Sequence, residues 1–367
     1  MEKPLLDVFD NYFSTRLRLH GRANVIGTPD QNALLLQIPR LIETYLHKIG
    51  LAHLFKVKGS IGNGNIARVP WVGIFRKEIT ENAENGYYIV LLFSENMSSC
   101  YLSLNQGITA VEQLYTKTFA LRKMREAALK AITHLECDPE AHLGSIDLSS
   151  TGDLGRGYEA AAIVSFKYDA HSLPTDDVFF GHLNLLLGYY EKIFKKVGKN
   201  LHSLISVSEN EFQQVVLEKA ASPQALKENI SSEEFWGDAL SSSGKPTFNR
   251  SPIVAAQAIR MADFKCEINA EHWTFTSRAK KHRYVEAHHL IPISHQLKFF
   301  HPLDVVENVV CLCATCHRML HYGVEKERRD LLTHLFKKRK EVLVKRSLDL
   351  KVADFLSLYS GGVLLED

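Results

Sequence analysis

Between Phe264 and Gly323 the chain concentrates side chains that bind metals and move protons: Cys266, His272, Glu286, His288, His289, Asn308, Cys313, Cys316, His317 and His321. Two metal sites can be drawn from them without a shared ligand. Cys313 and Cys316, at C-x2-C spacing, can chelate one ion from a tight turn. Zinc suits them, because it takes thiolate and imidazole ligands in a tetrahedron. Cys266 and His272 close that tetrahedron from the other side. The position three after Cys266 is Asn269, a poor zinc ligand, so His272 is chosen by default and Cys311 competes with it.

The second site is built from imidazoles. His317 and His321, at i and i+4, share one face of a helix and can converge on one metal. His288 adds a third ligand from a strand. Adjacent strand residues point to opposite faces, so His288 and His289 serve one centre only if the backbone bends there. His288 then binds the metal and His289 acts as general base on a water, while the metal holds a phosphate and stabilises charge on the leaving oxygen. The expected cofactors are structural Zn²⁺ and a catalytic divalent ion. An all-imidazole site suits Mn²⁺, Co²⁺, Ni²⁺ or Zn²⁺ better than Mg²⁺, which prefers oxygen ligands.

The elements that must position these residues lie in the last of three stretches. A helical pattern follows Pro252, the Cys/His segment comes next, and a basic helix is expected at Val324–Arg346. Residues 199–250 read as helix and linker: Ser206–Ala220 has helical periodicity, and Ser241-Ser242-Ser243-Gly244-Lys245-Pro246 is the best hinge. In residues 1–198, strands are expected at Trp71–Arg76, Tyr87–Ser94, Cys100–Leu104 and Ala160–Tyr168. Glycine- and asparagine-rich punctuation separates them, notably at 59–65. Helices are expected at Arg40–Lys48, Ala110–Leu135 and Asp176–Lys196. Strands and helices mix without regular βαβ alternation, so the class is α+β, with domains at 1–198 and 251–367.

Composition narrows the partners. From Lys245 to Arg346 there are 19 Lys/Arg against 10 Asp/Glu, while the remainder carries 25 against 32. A local positive field of that kind suits a polyanion. No apolar run approaches the roughly 20 residues needed to cross a bilayer, so no membrane partner is expected. The first ten residues lack a basic start followed by an apolar stretch, so no signal peptide is expected. Clustered cysteines read as metal ligands in a reducing cytoplasm.

The run Glu286-Ala287-His288-His289-Leu290-Ile291-Pro292-Ile293, then Glu307-Asn308-Val309-Val310, then Leu312-Cys313-Ala314-Thr315-Cys316-His317-Arg318-Met319-Leu320-His321 resembles HNH endonucleases. It is most similar to the zinc-stapled domains of McrA-like restriction enzymes, and its histidine spacing also resembles that of the colicin nucleases. The resemblance implies a ββα-metal fold with His289 as general base and Asn308 holding the loop that orients it. It implies His288, His317 and His321 as metal ligands, with Glu286 supporting them from behind. Asn269 departs from it, where many relatives have a second Cys.

The run Gly62-Asn63-Gly64-Asn65-Ile66-Ala67-Arg68-Val69-Pro70-Trp71, followed by Asn85-Gly86-Tyr87-Tyr88-Ile89-Val90-Leu91-Leu92, resembles the DNA-binding N-terminal domain of McrB. That resemblance extends more faintly through Tyr158–Phe194. It implies recognition of modified cytosine in double-stranded DNA by flipping the base into a pocket. Trp71 and Leu92 take the positions that sandwich the base, Tyr88 lies in the same run, and Asn63 stands where a family member has a pocket tyrosine. From the residues alone, Trp71 offers a stacking face, or serves with Leu92 in the core of a sheet.

The expectation is a modification-dependent restriction endonuclease directed against foreign DNA. One HNH site cuts one strand, so a double-strand cut needs a homodimer or two sequential nicks. The rival readings are an HNH nuclease acting on unmodified DNA and a non-catalytic zinc-containing DNA-binding protein.

Overall fold

The computed structural model describes residues 1–199, 201–204, 207–222, 250–278 and 281–359, and the expected hinge at 241–246 lies outside them. It divides into two units, Met1–Gln113 with Lys117–Ile205, and Leu114–Thr116 with Ser206–Asp367. Both strands and helices contribute throughout, and the class is α+β.

The first unit is built on a six-stranded sheet in the order β1-β2-β3-β4-β6-β5. The strands are β1 (Phe55–Asn63), β2 (Asn65–Arg76), β3 (Tyr87–Phe93), β4 (Ser99–Gln106), β5 (His142–Leu143) and β6 (Ala162–Asp169), and every neighbouring pair is antiparallel. β3 reads Tyr-Tyr-Ile-Val-Leu-Leu-Phe and is buried along its whole length. Such a run, apolar at every position, belongs to a sheet covered on both faces. Ile89, Leu91 and Phe93 face the larger core, with Leu5 of α1 (Glu2–Arg18), Ile42 of α3 (Ile38–Lys48), and Phe179 and Leu183 of α7 (Asp176–Val197). Tyr88, Val90 and Leu92 face a smaller cluster with Ile146, Leu148 and Tyr158.

Local chemistry sets these elements. α7 starts at Thr175, whose side chain accepts the Val178 N–H, has Asp176 and Asp177 in its first turn, and ends on Lys195 and Lys196. Gly59 of β1 lies against the π-helical turn Ala33–Gln37 that joins the short α2 (Pro29–Asn32) to α3. A Cβ there would sit 1.9 Å from the Leu34 carbonyl oxygen, so only glycine permits this approach. The Gly-Asn segment expected as loop is instead the tip of the β1–β2 hairpin, where Asn63 pairs with Asn65 across Gly64 at φ +73°. Two further expectations are corrected. The strand expected from Ala160 begins at Ala162, because α6 (Asp153–Ala161) runs to its edge. The long helix expected at Ala110–Leu135 is two, α4 (Thr109–Leu114) and α5 (Lys117–Ile132).

The second unit holds α8 (Glu209–Ala220), α9 (Pro252–Met261), the antiparallel pair β7 (Glu286–His289) and β8 (Val309–Leu312), α10 (Ala314–Tyr322), α11 (Glu325–Lys345) and α12 (Val352–Ser357). A capping box at Ser208 and Glu211 opens α8. Phe212 and Val216 of α8 share a core with Val254 and Ile259 of α9, Ala287 of β7 and Val309 of β8. Leu312, Leu320, Leu332, Phe336 and Phe355 form the second core, under α10 and α11. Among the described residues no helix is long and apolar enough to cross a membrane.

Candidate metal centres and active site

Cys266, His272, Cys313 and Cys316 bring four ligand atoms within 4.8 Å of one another, and the three cysteines are buried. His272 Nδ1 is 3.6 Å from Cys313 Sγ and 3.4 Å from Cys316 Sγ. Cys311, the competing fourth ligand, lies instead in the core between β8 and α9. Cys313 is the N-cap of α10, its sulfur accepting the Cys316 N–H at 3.4 Å. Cys266 accepts the Cys316 thiol and the backbone N–H groups of Cys313, Asn269 and Ile268, which together hold its thiol below the usual cysteine range despite burial. Amides aimed at a thiolate are the setting of a zinc-bound cysteine, and this Cys3His set fits zinc.

The second cluster is His288, His317 and His321, all buried, with one nitrogen of each within 4.8 Å of the others. His317 Nε2 and His321 Nε2 face each other at 3.2 Å from successive turns of α10. His288 Nε2 is buried without a hydrogen-bond partner. Burial first, and then the neighbouring His317, His321 and His289, push His288 well below the usual histidine range. It is therefore the neutral imidazole that a metal requires. Three inward nitrogens, one of them with no other partner, fit a divalent transition metal.

A hydrogen-bonded line runs back from this cluster. Glu286 Oε2 accepts from His317 Nδ1, and Glu286 Oε1 accepts the Tyr284 hydroxyl at 2.7 Å. Burial raises the Glu286 carboxyl, but the His317 bond and charge and the Tyr284 bond outweigh it and hold it below the carboxylate range. Such partners fix a ligand's tautomer and ring orientation.

From Glu286 to His288, β7 alternates between its two faces. Glu286 and His288 reach the α10 histidines, whereas Ala287 faces the core with α8 and α9. His289, the last strand residue, places Nε2 2.8 Å from Asp304 Oδ1. Beyond it, Asn308 clamps the outgoing chain. Its Oδ1 accepts the Ile291 N–H at 2.8 Å, and its Nδ2 donates to the carbonyls of Ile291 at 2.9 Å and Leu303 at 2.8 Å. From α8, the Gln213 amide matches both backbone groups of Ala287, accepting its N–H at 2.8 Å and donating to its carbonyl at 2.7 Å. Sequence reasoning passed over Tyr284, Asp304 and Gln213. No spacing rule marks them, since Gln213 lies 74 residues from its partner.

In the first unit, Trp71 of β2 stands directly opposite Leu92 of β3. Trp71 is half-buried and meets Phe75 edge-on at 6.1 Å, and its indole hydrogen-bonds Tyr158. Leu92 and Tyr88 are fully buried in the same apolar cluster, and Tyr88 donates its hydroxyl to the Ala83 carbonyl at 3.0 Å. Asn63 is exposed at the hairpin tip.

Residues 29–195 match the family model described as MrcB-like, N-terminal domain, and residues 266–324 match that described as HNH endonuclease. Comparison with curated proteins gives no match. The two matches support a nuclease with a DNA-binding N-terminal domain.

Proposed function

We propose that this nuclease is a modification-dependent DNA endonuclease, in which residues 1–198 read modified cytosine in double-stranded DNA and residues 251–367 cut. The observation that carries the cutting half is the convergence of three buried imidazoles, with His289, next to His288 in the chain, bonded to a carboxylate. A divalent ion bound by His288, His317 and His321 would polarise the scissile phosphate and stabilise charge on the leaving 3′ oxygen. Asp304 occupies His289 Nε2, which leaves Nδ1 to take a proton from the attacking water. The water oxygen bonds to phosphorus, the P–O3′ bond breaks, and the leaving oxygen acquires its proton from solvent. The products are a 5′-phosphate and a 3′-hydroxyl.

For the reading half, Trp71 and Leu92 are proposed to flank a flipped base. Their adjacency on β2 and β3 supports this, as does the half-exposed face of Trp71. Tyr88, bonded to the Ala83 carbonyl, and Asn63, at the β1–β2 tip, were expected in the same pocket but stand away from this pair along β3 and β2. The biological role proposed is defence against foreign DNA in the cytoplasm, where the described free cysteines stay reduced. Two protomers would supply one site for each strand. The test is cleavage of matched DNAs carrying cytosine, 5-methylcytosine, 5-hydroxymethylcytosine or 6-methyladenine, with Mn²⁺, Co²⁺, Ni²⁺, Zn²⁺ or Mg²⁺. Preferential cutting of a modified-cytosine substrate supports the reading, and equal cutting of all four removes it.

A further inference from the structure

We propose that Asp304 is a positioning residue for the hydrolytic step, fixing His289 in the tautomer and orientation that leave Nδ1 free to accept a proton; this rests on His289 being the general base. Asp304 Oδ1 meets His289 Nε2 at 2.8 Å, and both side chains are largely buried. Its second oxygen is committed elsewhere. Oδ2 accepts the Ser251 N–H at 2.7 Å, at the N-cap of α9.

A carboxylate engaged through both oxygens in different directions cannot rotate away, so it presents a fixed acceptor to the imidazole. The backbone beneath it is fixed as well. The preceding residue, Leu303, gives its N–H to Gln296 Oε1 at 2.7 Å and its carbonyl to Asn308 Nδ2 at 2.8 Å. An acceptor at Nε2 selects the tautomer with its proton on Nε2 and its lone pair on Nδ1. When Nδ1 takes the water's proton, the imidazolium that forms already faces a carboxylate, a charge-assisted hydrogen bond that strengthens as the charge develops. Asp304 thus acts through His289 and needs no contact with DNA. Asn308, in turn, holds Ile291 and Leu303, the chain just beyond His289 and just before Asp304.

The experiment places Asp304→Ala and Asp304→Asn in the full chain, each alone and combined with His289→Ala. Single-turnover plasmid nicking, KM, metal content and melting temperature are then measured. Asp304→Ala should lower the rate by about 10–100-fold, a part of what a positioned base contributes, with KM and metal content unchanged. It should cause no further loss once His289 is alanine, because residues acting as one unit are not additive. Asp304→Asn is nearly isosteric and keeps an oxygen for the Ser251 N–H, so its fold and melt should hold. Its amide nitrogen can donate towards Nε2 and favour the wrong tautomer, so its rate should also fall. Asp304→Asn cutting at the wild-type rate overturns the proposal. So does an equal loss from Asp304→Ala in the presence and absence of His289, which is what a purely structural role at α9 would give. His289→Ala cutting at the wild-type rate would show a different fault, removing the base assignment itself and this proposal with it.

Discussion

His288 and His289 are neighbours in the chain but meet different partners, so substitutions at the two should fail in different ways. His289→Ala should cost about 10²–10⁴-fold in cleavage rate while the protein keeps its catalytic metal, because His288, His317 and His321 remain. His288→Ala should lose activity through weaker metal binding, and added Mn²⁺ should recover part of it. Rates measured beside metal content separate the two, and identical behaviour of the variants would remove the division of roles. Trp71 calls for a comparison between substrates. Trp71→Ala should weaken binding to modified DNA by about 1–3 kcal/mol, the worth of one base–aromatic stack, and leave binding to unmodified DNA unchanged. Equal losses on both DNAs, with a lowered melt, would make it a core residue alone. At this scale the two clusters of candidate ligands were legible because their spacing is itself the signal: C-x2-C for one and an i, i+4 pair for the other. Asp304 was not, because an aspartate in a loop has no period and acquires meaning only when the fold brings it to His289.

At the scale of elements, the strand that carries the candidate active site is held from outside the segment rich in candidate ligands. β7 is four residues long, and the Gln213 side chain of α8 occupies both backbone groups of Ala287 in its middle. Gln213 also donates to Glu209 at 2.6 Å, and Glu209 pairs with Arg250 at 2.8 Å in a largely buried ion pair. Gln213→Ala should therefore cost about 1–3 kcal/mol of stability, the usual penalty when buried backbone groups lose their partner. Cleavage should fall with it, as β7 loosens. Denaturant melts set beside cleavage rates check this, and an unchanged melt would show that the clamp contributes nothing. Helix α8 itself was legible, since its period and its Ser208–Glu211 capping box are local. Its docking on β7 was not, because an amide mimicking a strand neighbour leaves no pattern in sequence. β1 escaped notice for a related reason. Its Lys-Val-Lys-Gly-Ser run looks like punctuation, and Gly59 is there for a close approach that only the packed helix reveals.

Across the whole molecule, each unit has its own apolar cores, and the cysteines that could hold zinc belong to one of them. Cys266, Cys313 and Cys316 lie in the core that includes Leu312, Leu320 and Phe336. Cys316→Ser should release about one zinc per chain and unfold the second unit, because structural zinc contributes directly to folding. The six-stranded unit should keep its own melting transition, since its cores contain none of these ligands. Calorimetry with a zinc assay tests this, and full zinc content with an unchanged trace would sink it. The α+β class was readable from the mixture of periods along the chain. The strand order was not, because β5 and β6 pair across an intervening helix and their register depends on non-local contacts.

Helix α10 has nine residues, and it supplies ligand candidates for both ions, with Cys316 and His317 consecutive. With both ions bound, such an arrangement would make each an effector of the other. By whatever factor zinc raises affinity for the second metal by seating this helix, the second metal must raise affinity for zinc by the same factor. Scarcity of one ion would then appear as poor retention of the other. The enzyme's working state would follow the host's joint supply of two metals, with α10 as the lever between them.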